Sequence, residues 1–582
     1  MLTSTIFHDQ KGYISNFWFF FGALALSFSW LLPNHYMPWT GFHADAWAAT
    51  VLSLTSVVVI FRSSSYVEWD SISTLTAVLI FLVFFQYISG LIPFAGQAWI
   101  SAAYLIGFLL AILVGTHWEK IYKDQLPNGL FISIGIASIV SVILQLCQWF
   151  GLYPLDLMMV KMTGNRPYAN LGQPNQLATL LLWGILACAW GVTSEKISST
   201  IFLLFISILI FGIALTQSRT AWIGLFIILF SAWWWRKFWS AKKIYILLLF
   251  TSCYFLFCVL LVYWLDANFE INKLPPVAER FSSEIRPIAW WLFLDAIWQK
   301  PWLGYGFTEV AQAQLDLSLY YPSLGGAFGQ AHNIFLDLLL WFGAPIGILV
   351  CMLIIYWLVK CISLIKNGKD SILITALLVI GNHALLELPL HYAYFLLPTG
   401  LLIGIVNFRL KNLILFRTSK WVLYCLWALG VTCLSLIIYD YFRIESNFNS
   451  WLYERANIGT QKINVVPDVF VLTQLHEKMR FARIEIKEGL KDEELEWMRK
   501  VVRWSPSAFE LHKISTAMAV SGRTAEAGMW LKKLCKVNSY QQCELVGRVW
   551  NEQATKNEKI AKIKWLNGDF IIDNKKLGSD SN

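Results

Sequence analysis

The chain has 582 residues, of which 14% are charged and 57% are hydrophobic. A soluble globular protein carries about 25% charged residues, so the composition excludes an ordinary soluble enzyme. The 30 Trp and 22 Tyr fit a protein with much surface at a membrane–water boundary, where these side chains concentrate. The composition also excludes intrinsic disorder, a collagen-like chain and a small disulfide-bonded scaffold.

Charged residues are distributed unevenly and indicate a domain boundary near Tyr441. Residues 1–441 contain 42 charged side chains, whereas residues 442–582 contain 41 in only 141 positions. This contrast predicts a transmembrane domain over residues 1–441, followed by a soluble domain over residues 442–582.

The first domain contains about thirteen apolar runs that are long enough, or nearly so, to cross a bilayer as helices, since a span needs about 20 largely apolar residues. The sequence therefore predicts an all-α polytopic membrane protein. The first run, at Phe17–Leu32, is followed by no small-residue cleavage site and is interpreted as a retained span. A later run begins near Ile334 and extends to Val359.

Basic residues indicate the orientation of these spans, because short loops rich in Lys and Arg stay in the cytoplasm. With the N terminus inside, 16 Lys and Arg fall in inner loops, and only Lys161, Arg166 and Arg219 fall in short outer loops. An odd number of spans then places the C-terminal domain outside, together with a long loop over residues 266–331. A bacterial periplasm fits this outer side best.

The C-terminal domain is predicted to be helical, because charged and apolar residues alternate at helical spacing over 475–491 and 493–502. Ser505 is the expected N-cap of the next helix, with Pro506 in its first turn. Gly522 then separates two helices in a pattern that resembles one tetratricopeptide repeat, and a generic helical bundle is an equally good interpretation. We expect such a helical hairpin to bind a partner protein.

This domain contains two cysteines, Cys535 and Cys543, and an isolated pair in an oxidising compartment favours a disulfide. Two free thiols are the alternative. The other eight cysteines lie in or beside apolar runs, where a thiol behaves as a small hydrophobic group.

Three polar residues at the predicted outer face are candidates for function, because charged groups in or beside a membrane domain are costly. Arg219 lies in a tight turn between two spans, and Arg286 precedes a Trp-rich helix that we expect to lie along the outer interface. Each arginine is a candidate anion-binding group, while an interfacial arginine that reaches toward lipid headgroups is the alternative for Arg219. His332 lies just before the run that begins at Ile334 and is a candidate general base, although a lone histidine at a helix start is more often structural.

Two further segments place amides and acids at the outer ends of predicted spans. They are residues 165–176, which include Gln173 and Asn175, and residues 382–389, which include Glu387. These side chains either form part of a site or satisfy the ends of helices. The sequence has no spacing typical of metal ligands and no nucleotide-binding motif. We therefore expect neither a metal nor a cofactor, and the energy must come from an activated substrate or a gradient.

The order of these motifs resembles the O-antigen ligase superfamily. The motifs are Gln217-Ser218-Arg219, then Arg286 before the Trp-rich helix that continues into Pro301-Trp302-Leu303-Gly304-Tyr305-Gly306-Phe307, then Ala331-His332-Asn333-Ile334. Within the superfamily, Arg166-Pro167, the segment 170–179 and Asn382-His383-Ala384-Leu385-Leu386-Glu387 resemble bacterial protein O-oligosaccharyltransferases, the pilin glycosylation ligases. The resemblance implies a GT-C-like membrane fold.

The resemblance also implies a reaction and a set of partners. An oligosaccharide would pass from an undecaprenyl-diphosphate carrier to a Ser or Thr hydroxyl of an exported protein, often a pilin, at the periplasmic face of a bacterial inner membrane. Arg219 and Arg286 would neutralise the leaving diphosphate in place of a metal. His332 would accept the proton of the acceptor hydroxyl, and the anomeric carbon would be inverted.

The resemblance leaves the roles of Gln173, Asn175 and Glu387 open. The chain has Glu387-Leu388-Pro389 where relatives are expected to have Glu-Tyr-Pro, which puts any role of a tyrosine at that point in doubt.

Two other functions remain as alternatives. An O-antigen ligase or polymerase would act on a glycolipid, which needs no soluble domain of this size for recognition. A transporter of lipid-linked sugars would place ionisable residues near the bilayer midplane, whereas the predicted spans contain almost none. The expected partners are therefore a lipid-linked oligosaccharide, an exported acceptor protein and the bilayer, and not a nucleic acid.

Overall fold

The computed structural model describes residues 20–62, 66–153, 157–238, 241–269, 285–411, 414–459 and 465–565. In these residues the chain is almost entirely helical, and its strands are the short antiparallel pair Tyr66–Trp69 and Phe416–Ser419. The predicted all-α class is thus confirmed. Residues 17–19 of the first predicted run and residues 270–284 of the predicted outer loop lie outside the described residues.

Twenty-two helices are described, numbered in chain order. Helices α1 to α9 are Phe20–Trp30, Phe42–Arg62, Ser71–Ile88, Ala95–Ile121, Gln125–Trp149, Pro174–Thr193, Ser199–Thr216, Arg219–Trp234 and Ala241–Phe269. Helices α10 to α16 are Arg286–Gln299, Val310–Leu317, Ile334–Phe342, Ala344–Ser363, Gly368–Ala384, Ala393–Arg409 and Trp421–Arg455. Helices α17 to α22 are Thr473–Arg483, Asp492–Trp504, Ala508–Val520, Thr524–Val537, Tyr540–Lys556 and Glu558–Ala561.

Nine helices within the described ranges are long and apolar enough to cross a membrane, namely α2 to α7, α9, α13 and α16. Helices α1, α8 and α15 are apolar as well but have only 10–17 residues. These lengths and compositions support a polytopic membrane protein. The total of about thirteen spans stays a prediction.

The apolar run from Ile334 to Val359 forms two helices, α12 and α13, which are separated at Gly343. The prediction of one continuous helix over this run is therefore wrong. Gly343 has a φ of 79°, and a Cβ atom there would lie 2.5 Å from the carbonyl carbon of Trp302. The amide nitrogen of Tyr305 donates to the carbonyl oxygen of Leu340 at 2.7 Å. The segment Gly304-Tyr305-Gly306 therefore packs against the break between α12 and α13. Hydropathy alone does not reveal this break.

The chain forms two compact units. The first comprises residues 1–79, 103–280 and 353–435, and the second comprises residues 80–102, 281–352 and 436–582. This division follows contacts between residues, whereas the boundary near Tyr441 was inferred from composition. That boundary stays a prediction.

Glycines permit close helix contacts in the first unit. A Cβ atom at Gly404 of α15 would lie 2.1 Å from the carbonyl oxygen of Ile112 in α4, so only glycine fits at this contact. At the end of the same pair of helices, the guanidinium of Arg409 pairs with the carboxylate of Glu119 at 2.7 Å. Helix α6 is largely buried and packs against α5, α7, α8 and α14, which brings several candidate site residues onto adjoining helices.

The second unit has an apolar core of its own. Met498, Leu511 and Trp530 from the C-terminal helices are buried in it, together with Phe94 and Leu315. Helix α11 packs against both α18 and α20 at this core. The C-terminal helices are therefore part of the same folded unit as residues 285–342.

Two predicted helix boundaries in the C-terminal domain are wrong. The helix expected over 475–491 ends at Arg483, because Ile484 is already extended and Gly489, with a φ of 85°, turns the segment that follows. Ser505 does not cap the next helix. Its amide nitrogen closes the preceding helix α18, and Ser507 occupies the N-cap position of α19.

The helical hairpin predicted around Gly522 is present. Helices α19 and α20 flank this glycine, whose φ of 80° suits a tight turn. Its likeness to a tetratricopeptide repeat stays a prediction. Cys535 and Cys543 form a disulfide, with their Cα atoms 4.8 Å apart.

Candidate active site

Arg219 is the first residue of α8 and follows a sharp turn after α7. Gln217 adopts a left-handed conformation with a φ of 49°, and the hydroxyl oxygen of Ser218 accepts a hydrogen bond from the amide nitrogen of Ala221 at 3.2 Å. Thr216 and Ser218 are fully buried, whereas Arg219 is partly exposed. The predicted turn between two helices is confirmed, and it leaves part of the arginine side chain accessible.

Arg286 opens α10, with Pro287 in the first turn, where the missing N–H of proline costs nothing. The first turn of a helix carries partial positive charge. An anion beside Arg286 would therefore be attracted by the guanidinium and by the N terminus of α10. Two tryptophans of the helix, Trp291 and Trp298, are 66% and 79% exposed. Such exposed indoles fit a helix along a membrane interface, which stays a prediction.

His332 lies in a segment that is held on both sides. The amide nitrogen of Ala331 donates to the carboxylate of Asp337 at 2.7 Å, and the carbonyl oxygen of Ala331 accepts from the indole nitrogen of Trp290 at 3.0 Å. On the other side, the side chain of Asn333 caps α12. The backbone on either side of the histidine is therefore fixed.

His332 itself has a φ of 54°, a left-handed conformation that is uncommon for a residue with a side chain. Such residues cost free energy, persist only where the surroundings fix them and cluster at functional sites. The imidazole is partly exposed and contacts the ring of Phe328 edge-on, with ring centroids 5.3 Å apart. A histidine whose backbone is fixed and whose ring is partly exposed can accept a proton from an approaching hydroxyl.

Asn175 joins Arg166 to Glu387. Its side-chain oxygen accepts a hydrogen bond from Nη2 of Arg166 at 3.3 Å, and its amide nitrogen donates to Oε1 of Glu387 at 2.9 Å. The Nε of Arg166 donates to the carbonyl oxygen of Thr216 at 2.8 Å. These three side chains therefore connect the start of α6, the end of α14 and the turn before Arg219.

The residues predicted for the site divide between the two units. Gln173, Asn175, Arg219 and Glu387 belong to the first unit, and Arg286 and His332 belong to the second. Asn175 and Glu387 are in direct contact, and Gln173 occupies the N-cap position of α6, two residues before Asn175. In the second unit, the helix that begins at Arg286 also supplies the indole beside His332.

The sequence analysis includes Arg166 only within the candidate segment 165–176 and gives no role to Asp337 or Trp290. Arg166 carries a signal, because it is one of the few basic residues in the short outer loops. Asp337 carries one as well, because an acid within an apolar run needs hydrogen-bond partners. Trp290 carries no signal that separates it from the neighbouring tryptophan.

Three segments of the chain match models of known protein families. Residues 202–351 match the O-antigen ligase family, and residues 167–190 match the protein glycosylation ligase family. The predicted resemblance is confirmed. Residues 371–543 match the C-terminal region of virulence factor membrane-bound polymerases.

Two relatives are similar to this chain over most of their length. A general O-oligosaccharyltransferase of Acinetobacter baylyi is 29% identical over 523 residues, which cover 87% of this chain and 89% of the relative. A ComP-specific O-oligosaccharyltransferase of the same organism is 28% identical over 457 residues, which cover 77% and 82%. The similarity is therefore not limited to a short shared motif.

Proposed function

We propose that the protein is an oligosaccharyltransferase that attaches glycans to hydroxyl groups of exported proteins. The observation that carries this proposal is the similarity, over 87% of the chain, to a general O-oligosaccharyltransferase. The matches to the O-antigen ligase and protein glycosylation ligase families support the same class of enzyme. We place it in a bacterial inner membrane, with the active site and the C-terminal domain facing the periplasm.

The proposed donor is an oligosaccharide linked to undecaprenyl diphosphate, an activated substrate that needs no nucleotide. Its leaving group gains negative charge as the glycosidic bond breaks. Arg219 and Arg286 are the proposed diphosphate-binding groups, because a guanidinium binds phosphate oxygens with two parallel hydrogen bonds and keeps its charge. The partial exposure of both side chains and the position of Arg286 at a helix N terminus support this assignment.

The proposed general base is His332. The hydroxyl oxygen of the acceptor Ser or Thr attacks the anomeric carbon, and the bond from that carbon to the diphosphate oxygen breaks. The diphosphate leaves with the bonding electron pair, and the hydroxyl proton passes to the imidazole. Attack from the side opposite the diphosphate inverts the anomeric carbon. The fixed backbone around His332 and its partly exposed ring support this role.

The decisive experiment is co-expression of the chain with a lipid-linked glycan pathway and an exported, serine-containing pilin-like acceptor. The purified acceptor is then weighed by mass spectrometry. We expect a mass gain equal to one glycan, located on a Ser or Thr, which disappears in cells that lack the chain. No gain with any such acceptor, from cells that contain both the lipid-linked donor and the inserted enzyme, would rule out the proposal.

A second candidate is polymerisation or ligation of the glycan on a lipid. The match of residues 371–543 to virulence factor membrane-bound polymerases favours it. The same cells, grown without the acceptor protein, distinguish the two. A polymerase lengthens the glycolipid, which gives a ladder on a gel, whereas a protein-specific enzyme leaves the glycolipid pattern unchanged.

A further inference from the structure

The five residues 216–220, which we name the Arg219 turn, present Arg219 from a buried backbone. Thr216 and Ser218 are fully buried, Thr220 is 4% exposed, and Gln217 is 6% exposed. Arg219 alone among the five is partly exposed. The groups that hold this turn therefore fix the backbone from which the side chain of Arg219 extends.

Arg166 holds the first end of the Arg219 turn. Its Nε donates to the carbonyl oxygen of Thr216 at 2.8 Å. The last carbonyl groups of a helix have no partner within the helix, so the end of α7 gains one from this side chain. A charged donor forms a stronger hydrogen bond than a neutral one.

Asn175 and Glu387 in turn fix Arg166. The side-chain oxygen of Asn175 accepts from Arg166, and its nitrogen donates to Glu387. An amide serves both partners in one orientation only, because one end accepts and the other donates. Glu387 is 7% exposed, and a buried carboxylate requires such hydrogen-bond donors.

Asn382 holds the second end of the turn. Its side-chain nitrogen donates to the carbonyl oxygen of Thr220 at 3.1 Å. Asn382 and Glu387 lie in one segment at the end of α14, so this segment contacts the turn directly and through Asn175 and Arg166. One turn further along α8, a Cβ atom at Gly224 would lie 2.5 Å from a methyl group of Leu182, so the glycine allows α8 to pack closely against α6.

We propose that Arg166, Asn175, Asn382 and Glu387 are positioning residues that hold the Arg219 turn and align Arg219 with the diphosphate of the donor. The proposal rests on the proposed function. It gives a role to the two segments 165–176 and 382–389, whose roles the sequence leaves open. The four residues act through Arg219 rather than on the substrate. Their loss is therefore expected to change donor binding and to leave acceptor binding unchanged.

The test uses the full-length protein in lipid nanodiscs with a purified lipid-linked oligosaccharide and a purified acceptor. N175A is expected to lower kcat/KM for the donor about 10- to 100-fold, because a misplacement of about 1 Å can cost about 100-fold, with the acceptor KM unchanged. The matched control is N128A. The side-chain oxygen of Asn128 accepts from the indole nitrogen of Trp190 at 2.9 Å near the other end of α6, outside this network, so N128A should lower thermal stability and leave the donor KM as it is.

A double-mutant cycle with R219A tests whether the network acts through Arg219. If it does, N175A has little further effect once R219A has been introduced, because residues in one network are not additive. If the two effects on donor kcat/KM multiply, the network acts independently of Arg219, and the positioning role is wrong.

A swap of charges tests the chain of hydrogen bonds itself. N175D sets a second carboxylate against Glu387 and should impair donor use as N175A does. Addition of E387Q supplies an amide that donates to the new carboxylate, so N175D/E387Q should regain most of the lost donor kcat/KM. A double variant no better than N175D would overturn the proposed chain of hydrogen bonds.

A wild-type enzyme that transfers no glycan would instead contradict the proposed function, whereas an active wild type with an unchanged N175A variant contradicts only the positioning role.

Discussion

The carboxylate of Asp337 accepts a hydrogen bond from the amide nitrogen of Ala331, the residue before His332, at 2.7 Å. Asp337 is 2% exposed and lies in the first turn of α12. The acid thus reaches back across the helix start and fixes the segment that carries the histidine. A residue embedded in an apolar helix therefore supports the proposed general base.

Replacement of Asp337 by Ala is expected to lower the free energy of unfolding by about 1–3 kcal/mol, because it leaves the buried amide of Ala331 without an acceptor. D337N keeps an acceptor oxygen and should cost less. Turnover should follow the same order, with D337A the slower variant. Thermal unfolding and glycan transfer measure the two effects, and a D337A protein as stable as the wild type would refute the structural role of this hydrogen bond.

Replacement of His332 by Ala is expected to slow the chemical step by roughly 10²–10⁴-fold, the usual contribution of a general base. Single-turnover transfer with saturating donor measures this rate. His476→Ala is the matched control, because His476 lies on a C-terminal helix, where its ring contacts the carboxylate of the neighbouring Glu477 at 3.3 Å. An unchanged rate in folded H332A would remove His332 from the proton transfer.

Replacement of Gly343 by Ala is expected to destabilise the second unit. Its φ of 79° suits only glycine, and a Cβ atom there would meet the carbonyl group of Trp302. The strained backbone alone costs about 1–3 kcal/mol. Gly135→Ala is the comparison, because a Cβ atom at Gly135 meets nothing within 4 Å and alanine favours the helix by about 0.5–1 kcal/mol. Equal melting temperatures for the two variants would contradict this account of the helix break.

Burial raises the pKa of Glu309 to about 8, although a hydrogen bond from the side chain of Gln97 acts in the opposite direction. The folded protein therefore binds this proton more tightly than the unfolded chain does. Stability attributed to Glu309 is complete below the ordinary pKa of 4.5 and is lost as the pH rises toward 8.

Replacement of Glu309 by Gln removes this titration, so E309Q should be stabilised relative to the wild type as the pH rises from about 5 to about 8. Melting temperatures across that range give the comparison. Glu485→Gln, at a side chain that is 77% exposed, should keep the pH dependence of the wild type. The prediction fails if the E309Q and wild-type curves stay parallel.

The sequence is sufficient for the helical class, because long apolar runs allow few other structures in a membrane. It is not sufficient where two local signals compete. Ser505 and Ser507 both resemble an N-cap, and only the structure shows that the backbone of Ser505 completes the preceding helix. The pairing of Asn175 with Glu387 joins residues 212 positions apart. No local pattern predicts such a contact, so the two motifs look unrelated in the sequence.

The disulfide between Cys535 and Cys543 links the end of α20 to the start of α21, beside the apolar core of the second unit. C535S/C543S is expected to lower the stability of the C-terminal helices by about 2 kcal/mol, at the low end for a disulfide because the closed loop is short.

The same bond also tests the proposed orientation, because disulfides persist in oxidising compartments and are rare in the cytosol. Alkylation of the protein in freshly lysed, acid-quenched cells should modify Cys535 and Cys543 only after reduction. Both modifications should vanish in C535S/C543S, whereas labelling of the free thiol of Cys425 should persist in that variant. Full alkylation of the pair without a reductant would mean that the C-terminal domain lies in a reducing compartment, which contradicts its placement in the periplasm.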